Sequence, residues 1–571
     1  MKKLILTFSF LLSSILIYGA QRSFEQMITA AKRVVKVAPA ATRSGAAQMK
    51  MLKQGSQFTV LGYDSGGFAV IANDDRFNAV LAYSDDRFSA DNIAPGMQWW
   101  MNAVDEALQS KLESGEPAAV GAELRDESLP ESVPVLLSTT WGQETPYNNK
   151  IVEISGTNYP TGCVATAMAQ LMKYYEYPVT GHGFKGYSIG GNHINVNFAA
   201  APYQWENMLS SYPLTPGSYS DAQADAVAEL MLHCGVAVDM QYNTDASGAK
   251  SNDAAIAMRE YFKYSTDFYM RDIYTTEEWM SIIKRELSNG RPILYGGFTT
   301  QMAGHAFVFD GYDENNNVHV NWGWNGIGNG YYNVAILDSP SGTYSEMQDM
   351  IIAIPEEGGL PYSSQWGIMA ELTWISSSGQ QFTTTGKFDV SVSDNLLSFE
   401  CSNLINCDIE TFTGQLSMFA ENINGGQPVQ LVTASVNNVE YNNAYPENAK
   451  DYVGTADISM LADGTYRVYL ASKATTETEW QPVRSNESIT NNYILTISNG
   501  TAAVTAGEPG WTTGIQGIEA AGTDGDGTVR VYTADGVLVY TSPADSFSID
   551  DVPARGLLIV KNGANTTKIM K

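Results

Sequence analysis

The run Pro160-Thr161-Gly162-Cys163-Val164-Ala165-Thr166-Ala167-Met168-Ala169-Gln170 decides how this chain is read. After Cys163 nearly every residue is small or apolar, so the helix predicted over 164–175 is buried on most sides. Thr161 and Gly162 leave Cys163 at the helix N-terminus. There the free N–H groups and the helix dipole favour a thiolate over a thiol. That suits a nucleophile, although cysteine is also among the most buried residue types and can simply fill a core.

Three more helices are predicted downstream, at 222–234, 252–262 and 277–287, followed by strands at 292–297, 305–311 and 318–322. Residues 131–358 therefore read as one α+β domain, helices first and sheet second. A nucleophilic thiol needs a base, and the chain has five histidines: His182, His193, His233, His305 and His319. None shows a metal-ligand spacing such as His-Glu-x-x-His, and no metal or other cofactor is expected. His233 falls in mid-helix, and His182 and His193 lie in glycine-rich sequence. His305, in Ala303-Gly304-His305-Ala306-Phe307-Val308-Phe309-Asp310-Gly311-Tyr312, is the strongest candidate, beside a buried strand where a core histidine is also at home.

A third group should orient the imidazole. The next strand reads His319-Val320-Asn321-Trp322-Gly323-Trp324, one hairpin away, which places the Asn321 amide within reach of the ring. Trp322 and Trp324 can wall that bond from water, or serve as a binding surface. Gln143, in Trp141-Gly142-Gln143, offers an amide as an oxyanion donor twenty positions before Cys163.

On either side of this domain the text changes. Lys2 and Lys3 precede an apolar run ending in Gly19-Ala20, the pattern of a removable signal peptide over 1–20. The run is shorter than the ~20 apolar residues that span a bilayer. Residues 21–130 predict a basic helix, a small antiparallel sheet over 58–88, an amphipathic helix over 97–112 with Trp99 and Trp100, and an acidic linker over 113–132. Residues 380–505 alternate as a β-sandwich does. A linker over 506–514 leads to a short β module, 515–571.

Charge separates the segments too. The chain has 571 residues and a net charge of 33 − 62 = −29. Residues 1–125 are nearly neutral, with 13 Lys/Arg and 12 Asp/Glu, so the acidity lies downstream. A basic face for nucleic acid is absent, and nucleic acid is excluded as an expected partner. Four cysteines are too few for a disulfide scaffold, though Cys401 and Cys407 are close enough in sequence to pair.

The motifs together resemble the streptopain family of papain-like cysteine peptidases. They are Trp141-Gly142-Gln143 with Pro146-Tyr147-Asn148, the Cys163 helix, Gly304-His305-Ala306-Phe307-Val308, and His319-Val320-Asn321-Trp322-Gly323-Trp324-Asn325-Gly326. The upstream Gly67-Phe68-Ala69-Val70-Ile71-Ala72 and Pro95-Gly96 resemble that family's inhibitory propeptide. The resemblance implies a two-subdomain papain-like fold with Cys163 as nucleophile and His305 as acid/base. It implies that Asn321 orients His305, Trp322 shields it, and Gln143 completes the oxyanion hole. Asn149-Lys150 depart from the family pattern in a loop. The tail, Gly527-Thr528-Val529-Arg530-Val531-Tyr532 through Lys568-Ile569-Met570-Lys571, is similar to sorting domains of the type IX (Por) secretion system.

The reading that follows is a cysteine endopeptidase made as a latent preproenzyme. It acts on protein or peptide substrates, is held by its own propeptide, and is sent outside or to the cell surface through the type IX machinery. Two rivals share parts of the pattern. One is a papain-like cell-wall amidase or acyltransferase, and the other a non-catalytic surface adhesin.

Overall fold

The computed structural model describes residues 21–36, 48–64, 66–114, 129–200, 202–298, 304–337, 346–355, 363–375, 381–447 and 450–512. It also gives the backbone strands 528–533, 538–543, 557–562 and 565–570. The signal-peptide reading and most of the acidic linker lie outside these residues.

The amino-terminal unit begins with helix α1 (Phe24–Val34), which is closed by a Ser23/Gln26 capping box. Strands β1 (Lys50–Gln54), β2 (Phe58–Gly62), β3 (Phe68–Ala72) and β4 (Val80–Ser84) follow, then helix α2 (Pro95–Ser114). β2 and β3 are buried along their whole length because both faces are covered. Leu61 and Ile71 pack with Met27 and Ala31 of α1, while Val60 and Val70 join the main core with Trp100.

The larger α+β unit carries α3 (Asn149–Ser155), α4 (Cys163–Tyr175), the hairpin β5 (Phe184–Ile189) and β6 (Asn192–Asn197), α5 (Asp221–Ala237) and α6 (Ser251–Phe262). Then come β7 (Ser265–Met270), α7 (Thr276–Ser288), β8 (Ile293–Phe298), β9 (Gly304–Tyr312), β10 (Val318–Asn321), β11 (Gly330–Tyr332) and β12 (Glu346–Ile354). The four helices and three strands predicted here are present. The mixed helix-and-sheet class is that expected from the sequence.

The small amino-terminal sheet is not separate, because β4 pairs with β11 at Tyr83↔Tyr331 and Ala82↔Tyr332. The result is one ten-stranded sheet in the order β1-β2-β3-β4-β11-β10-β9-β8-β12-β7. Tyr83 stacks on Tyr331 at 5.1 Å between ring centroids, and its hydroxyl donates to Asp313 Oδ2 at 3.0 Å.

Side chains alternate across this sheet. His305, Phe307 and Phe309 of β9 share one face with Tyr295 and Gly297 of β8, as their register requires. Helices α2 and α7 cover that face, with Trp99 5.8 Å from Phe307 and Trp279 6.0 Å from Tyr295. Ala306, Val308, Gly296 and Asp349 point to the opposite face, where α4 and α6 lie.

The downstream β region begins with β13 (Trp366–Ile368), earlier than predicted, and β14 (Glu371–Ile375) with β15 (Gln381–Thr385). A three-stranded and a six-stranded sheet follow and enclose their own core, with Trp366, Phe388 and Leu416 in it. This unit grips the N-terminus of α7. Arg484 Nη1 and Thr512 Oγ1 each lie 3.0 Å from Glu278 Oε1, and Glu278 also closes the Thr275 capping box.

The predicted 506–514 linker is packed as far as residue 512. Trp511 lies 4.9 Å from Tyr469 and beneath the Arg467 guanidinium, and its carbonyl accepts from Asn491 Nδ2 at 2.7 Å. Cys401 and Cys407 are free and buried in different cores, so they do not pair. The terminal strands form a four-stranded antiparallel sheet.

Candidate active site

Gly162, at φ 88°, is the N-cap of α4, and no side chain caps the helix. Its first N–H groups therefore stay available, and the Cys163 sulfur takes contacts from its own N–H and that of Val164. A third N–H, from Ala306 on β9, reaches the same sulfur. The helix end and the strand that carries His305 thus meet at the thiol.

Thr161 donates its backbone N–H to the Gln143 carbonyl at 2.9 Å, so the Gln143 loop is tied to the residues just before Cys163. The Gln143 side-chain amide is half-buried and makes no hydrogen bond among the described residues. It stands free to donate.

Trp322 is buried against Phe307 at 4.7 Å and Tyr332 at 5.0 Å, and its indole N–H donates to the Gly328 carbonyl at 3.1 Å. It follows β10 on the His305 side of the sheet.

The Asn321 amide is engaged elsewhere in this covered state. Its register partner on β9 is Val308, which faces away from His305. The Asn321 amide donates to the Thr139 carbonyl at 2.7 Å and to Gln170 Oε1 at 3.1 Å. Among the described residues no hydrogen bond joins it to His305. Val308 stands an odd step from His305 along β9, so the two lie on opposite faces of the sheet.

Gln170 is the residue the sequence reading passed over. It sits two turns from Cys163 on α4 and is fully buried. Its Oε1 accepts from Thr139 Oγ1 at 3.0 Å, the Trp141 N–H at 3.1 Å and Asn321. One amide thus joins the helix, the Gln143 loop and the end of β10. Gln-plus-seven after a helix-start cysteine, in a run otherwise apolar, was the available signal. Gln170→Leu should leave those groups unpaired and lower stability by about 2–4 kcal/mol. An unchanged urea midpoint would contradict this role.

The other histidines take different places. The His233 ring nitrogen lies 2.8 Å from the Tyr203 hydroxyl, and burial pulls its pKa down to about 4. His319 Nδ1 lies 2.6 Å from the buried carboxylate of Asp310. His182 and His193 are on the surface and contact the Glu260 carbonyl and Ser188.

Among the described residues no hydrogen bond links the Cys163 sulfur to the His305 ring. Burial pushes the Cys163 thiol up and the His305 imidazolium down, so both groups prefer to be neutral. The low thiolate pKa expected from the helix N-terminus is overridden by desolvation in this covered state. The cover is α2. Gly297, the register partner of His305, has the Trp99 ring so close that an added Cβ would lie 2.8 Å from it. Trp100 sits edge-on to Tyr332 at 4.8 Å, and its indole N–H donates to the Asn333 carbonyl at 3.3 Å.

A helix-borne thiol against the strand that carries an imidazole, under an amino-terminal helix, defines a papain-like cysteine peptidase with its propeptide in place. Residues 141–332 match the Peptidase C10 family, and residues 19–108 match the Spi protease inhibitor family. Streptopain of Streptococcus pyogenes serotype M28 is 33% identical over 308 residues, which cover 50% of this chain and 75% of that protein. The thiol protease/hemagglutinin PrtT of Porphyromonas gingivalis is 31% identical over 317 residues, 51% of this chain and 36% of that protein. The structure of a Prevotella intermedia prointerpain A fragment superposes with a TM-score of 0.50 at 39% identity, covering 55% of this chain and all of the fragment. The chain belongs to the Peptidase C10 family, and it is a cysteine protease with a propeptide inhibitor domain.

Proposed function

We propose that the chain is a secreted endopeptidase of extracellular proteins, latent until α2 and the strands joined to it leave. The observation that carries this reading is the meeting of the uncapped α4 N-terminus, the Cys163 sulfur and the His305 strand beneath a removable helix. Once uncovered, His305 takes the Cys163 proton. The thiolate attacks a peptide carbonyl, and the Gln143 amide with the Cys163 N–H holds the oxyanion. His305 then protonates the departing amine, and water hydrolyses the thioester. Trp322 keeps water from the imidazole. Asn321 and Gln170 act together to hold the β10 end and the Gln143 loop against α4. An irreversible epoxide directed at cysteine peptidases should label the processed enzyme at Cys163. A processed enzyme that stays unlabelled would overturn the reading.

The apolar run over 1–20 and the terminal β module support export in two stages, through the inner membrane and then the type IX machinery. The module carries neither His nor Cys, so a share in the chemistry is not expected of it. Because Trp511 and Thr512 belong to the β-sandwich contact, the informative truncation ends after residue 512. That truncation should leave peptidase activity unchanged and trap the protein in the periplasm of a type IX host. Normal delivery to the medium would refute the address role.

A further inference from the structure

The face of the sheet that carries His305 is covered by α2 and α7, and on the reading above only α2 leaves. With it goes Trp99, which packs 5.8 Å from Phe307. α7 stays. Its Trp279 lies 6.0 Å from Tyr295 and donates its indole N–H to the Tyr295 hydroxyl at 3.2 Å. Tyr295 stacks on its register partner Phe307 at 5.5 Å, and Phe307 meets Trp322 at 4.7 Å. Phe307 is the next side chain after His305 on that face of β9. Once α2 has gone, α7 is the helix left to support it.

The first turn of α7 is held by the β-sandwich. The Arg484 guanidinium bonds Glu278 Oε1 at 3.0 Å and lies over the Tyr274 ring at 4.7 Å. Tyr274 in turn packs 5.8 Å from Trp279. The ion pair is shielded from water, its side chains 11% and 14% exposed, so losing one partner would strand a charge. Close contacts fix the geometry around it. A side chain at Gly367 would strike Ile273, and one at Gly510 would strike Thr275. Both glycines let the sandwich backbone come hard against the turn that starts α7. Arg484, Tyr274, Trp279, Tyr295, Phe307 and Trp322 thus form an unbroken series of packed side chains from the sandwich to the wall beside His305.

We propose that Arg484 is a positioning residue for the peptidase: by gripping Glu278 and Tyr274 it fixes α7, and through α7 it fixes Phe307 and Trp322 beside His305 after the propeptide helix has gone. This rests on the peptidase reading above. The sandwich is then a working part of the processed enzyme. Loss of the grip lets water past Trp322, and water screens the ion pair between the Cys163 thiolate and the His305 imidazolium.

The test uses processed enzyme with the sandwich in place. Arg484→Met keeps the stem without the charge. Its kcat should fall about tenfold with KM little changed, short of the ~100-fold that a 1 Å misplacement can cost. Its pH bell should narrow by about one unit, the lower limb moving up and the upper limb down, because thiolate and imidazolium support each other less. Arg484→Lys keeps a cation and should recover most of both. Glu278→Gln keeps the shape of the Thr275 cap, so it should narrow the bell even if the methionine variant folds poorly. Leu416→Ala, in the core of the sandwich itself, should lower the melting temperature and leave the bell unchanged. An unchanged bell in Glu278→Gln, or an equal narrowing in Leu416→Ala, overturns the positioning role while leaving the peptidase intact. A processed wild type that cleaves no peptide would instead count against the peptidase reading, and the positioning role with it.

Discussion

Cys163→Ala should give a folded, full-length chain with no measurable casein hydrolysis, a loss on the order of 10⁶ in rate as for other enzymes stripped of their nucleophile. The substitution removes one sulfur from a half-buried site, so the thermal midpoint should move little. His305→Ala should be equally inactive. The double variant should be no worse than either single one, because the two residues act as a unit. Gln143→Ala should retain more, falling by about 10²–10³ as one oxyanion donor is lost. Asn321→Ala should differ in kind. Its amide is spent on Thr139 and Gln170, so its loss should appear first in stability. Casein cleavage by Cys163→Ala would end the assignment of the nucleophile.

The second large effect concerns latency. In the uncut chain Cys163 should alkylate slowly at pH 7, since burial holds it as a thiol and holds His305 as a neutral imidazole. Its reactivity should rise only as pH passes ~8.5, the free-thiol value, or beyond. After processing both shifts should relax. Activity should then follow a bell, rising as the ion pair forms and falling as the imidazolium loses its proton. Trp100→Ala removes a fully buried ring worth about 3–5 kcal/mol from the contact between α2 and β11. It should speed alkylation of the uncut chain on the order of 100-fold. A separate 21–125 fragment should inhibit the processed enzyme at micromolar concentration. Equal thiol reactivity before and after processing, or a fragment without effect, would remove the latency argument.

Much of this was legible because local patterns carried it. The α4 helix announces itself through its small apolar residues, and Cys163 through the Thr161-Gly162 break. His305 stands out because few histidines compete. The hidden parts depend on pairings distant in sequence. Nothing near Tyr83 says that β4 will meet a three-residue strand almost 250 positions later. The Asn321 bonds to Thr139 and Gln170 were hidden because proximity along a hairpin does not give side-chain direction. Gln170 escaped because a buried amide among alanines looks like an exception until its partners are seen.

The shared sheet has a further consequence for how activation is timed. While the chain is whole, β4 and α2 are tethered to their docking surface, and a tether of this kind presents them at roughly millimolar effective concentration. A cut in the acidic stretch after α2 changes no contact at the β4–β11 seam or under Trp99 and Trp100. It changes only the order of the reaction. Rebinding becomes bimolecular, so the freed segment should be lost on dilution but persist where the enzyme is crowded. Processing and activity are thus expected to be two events, with dilution the step between them.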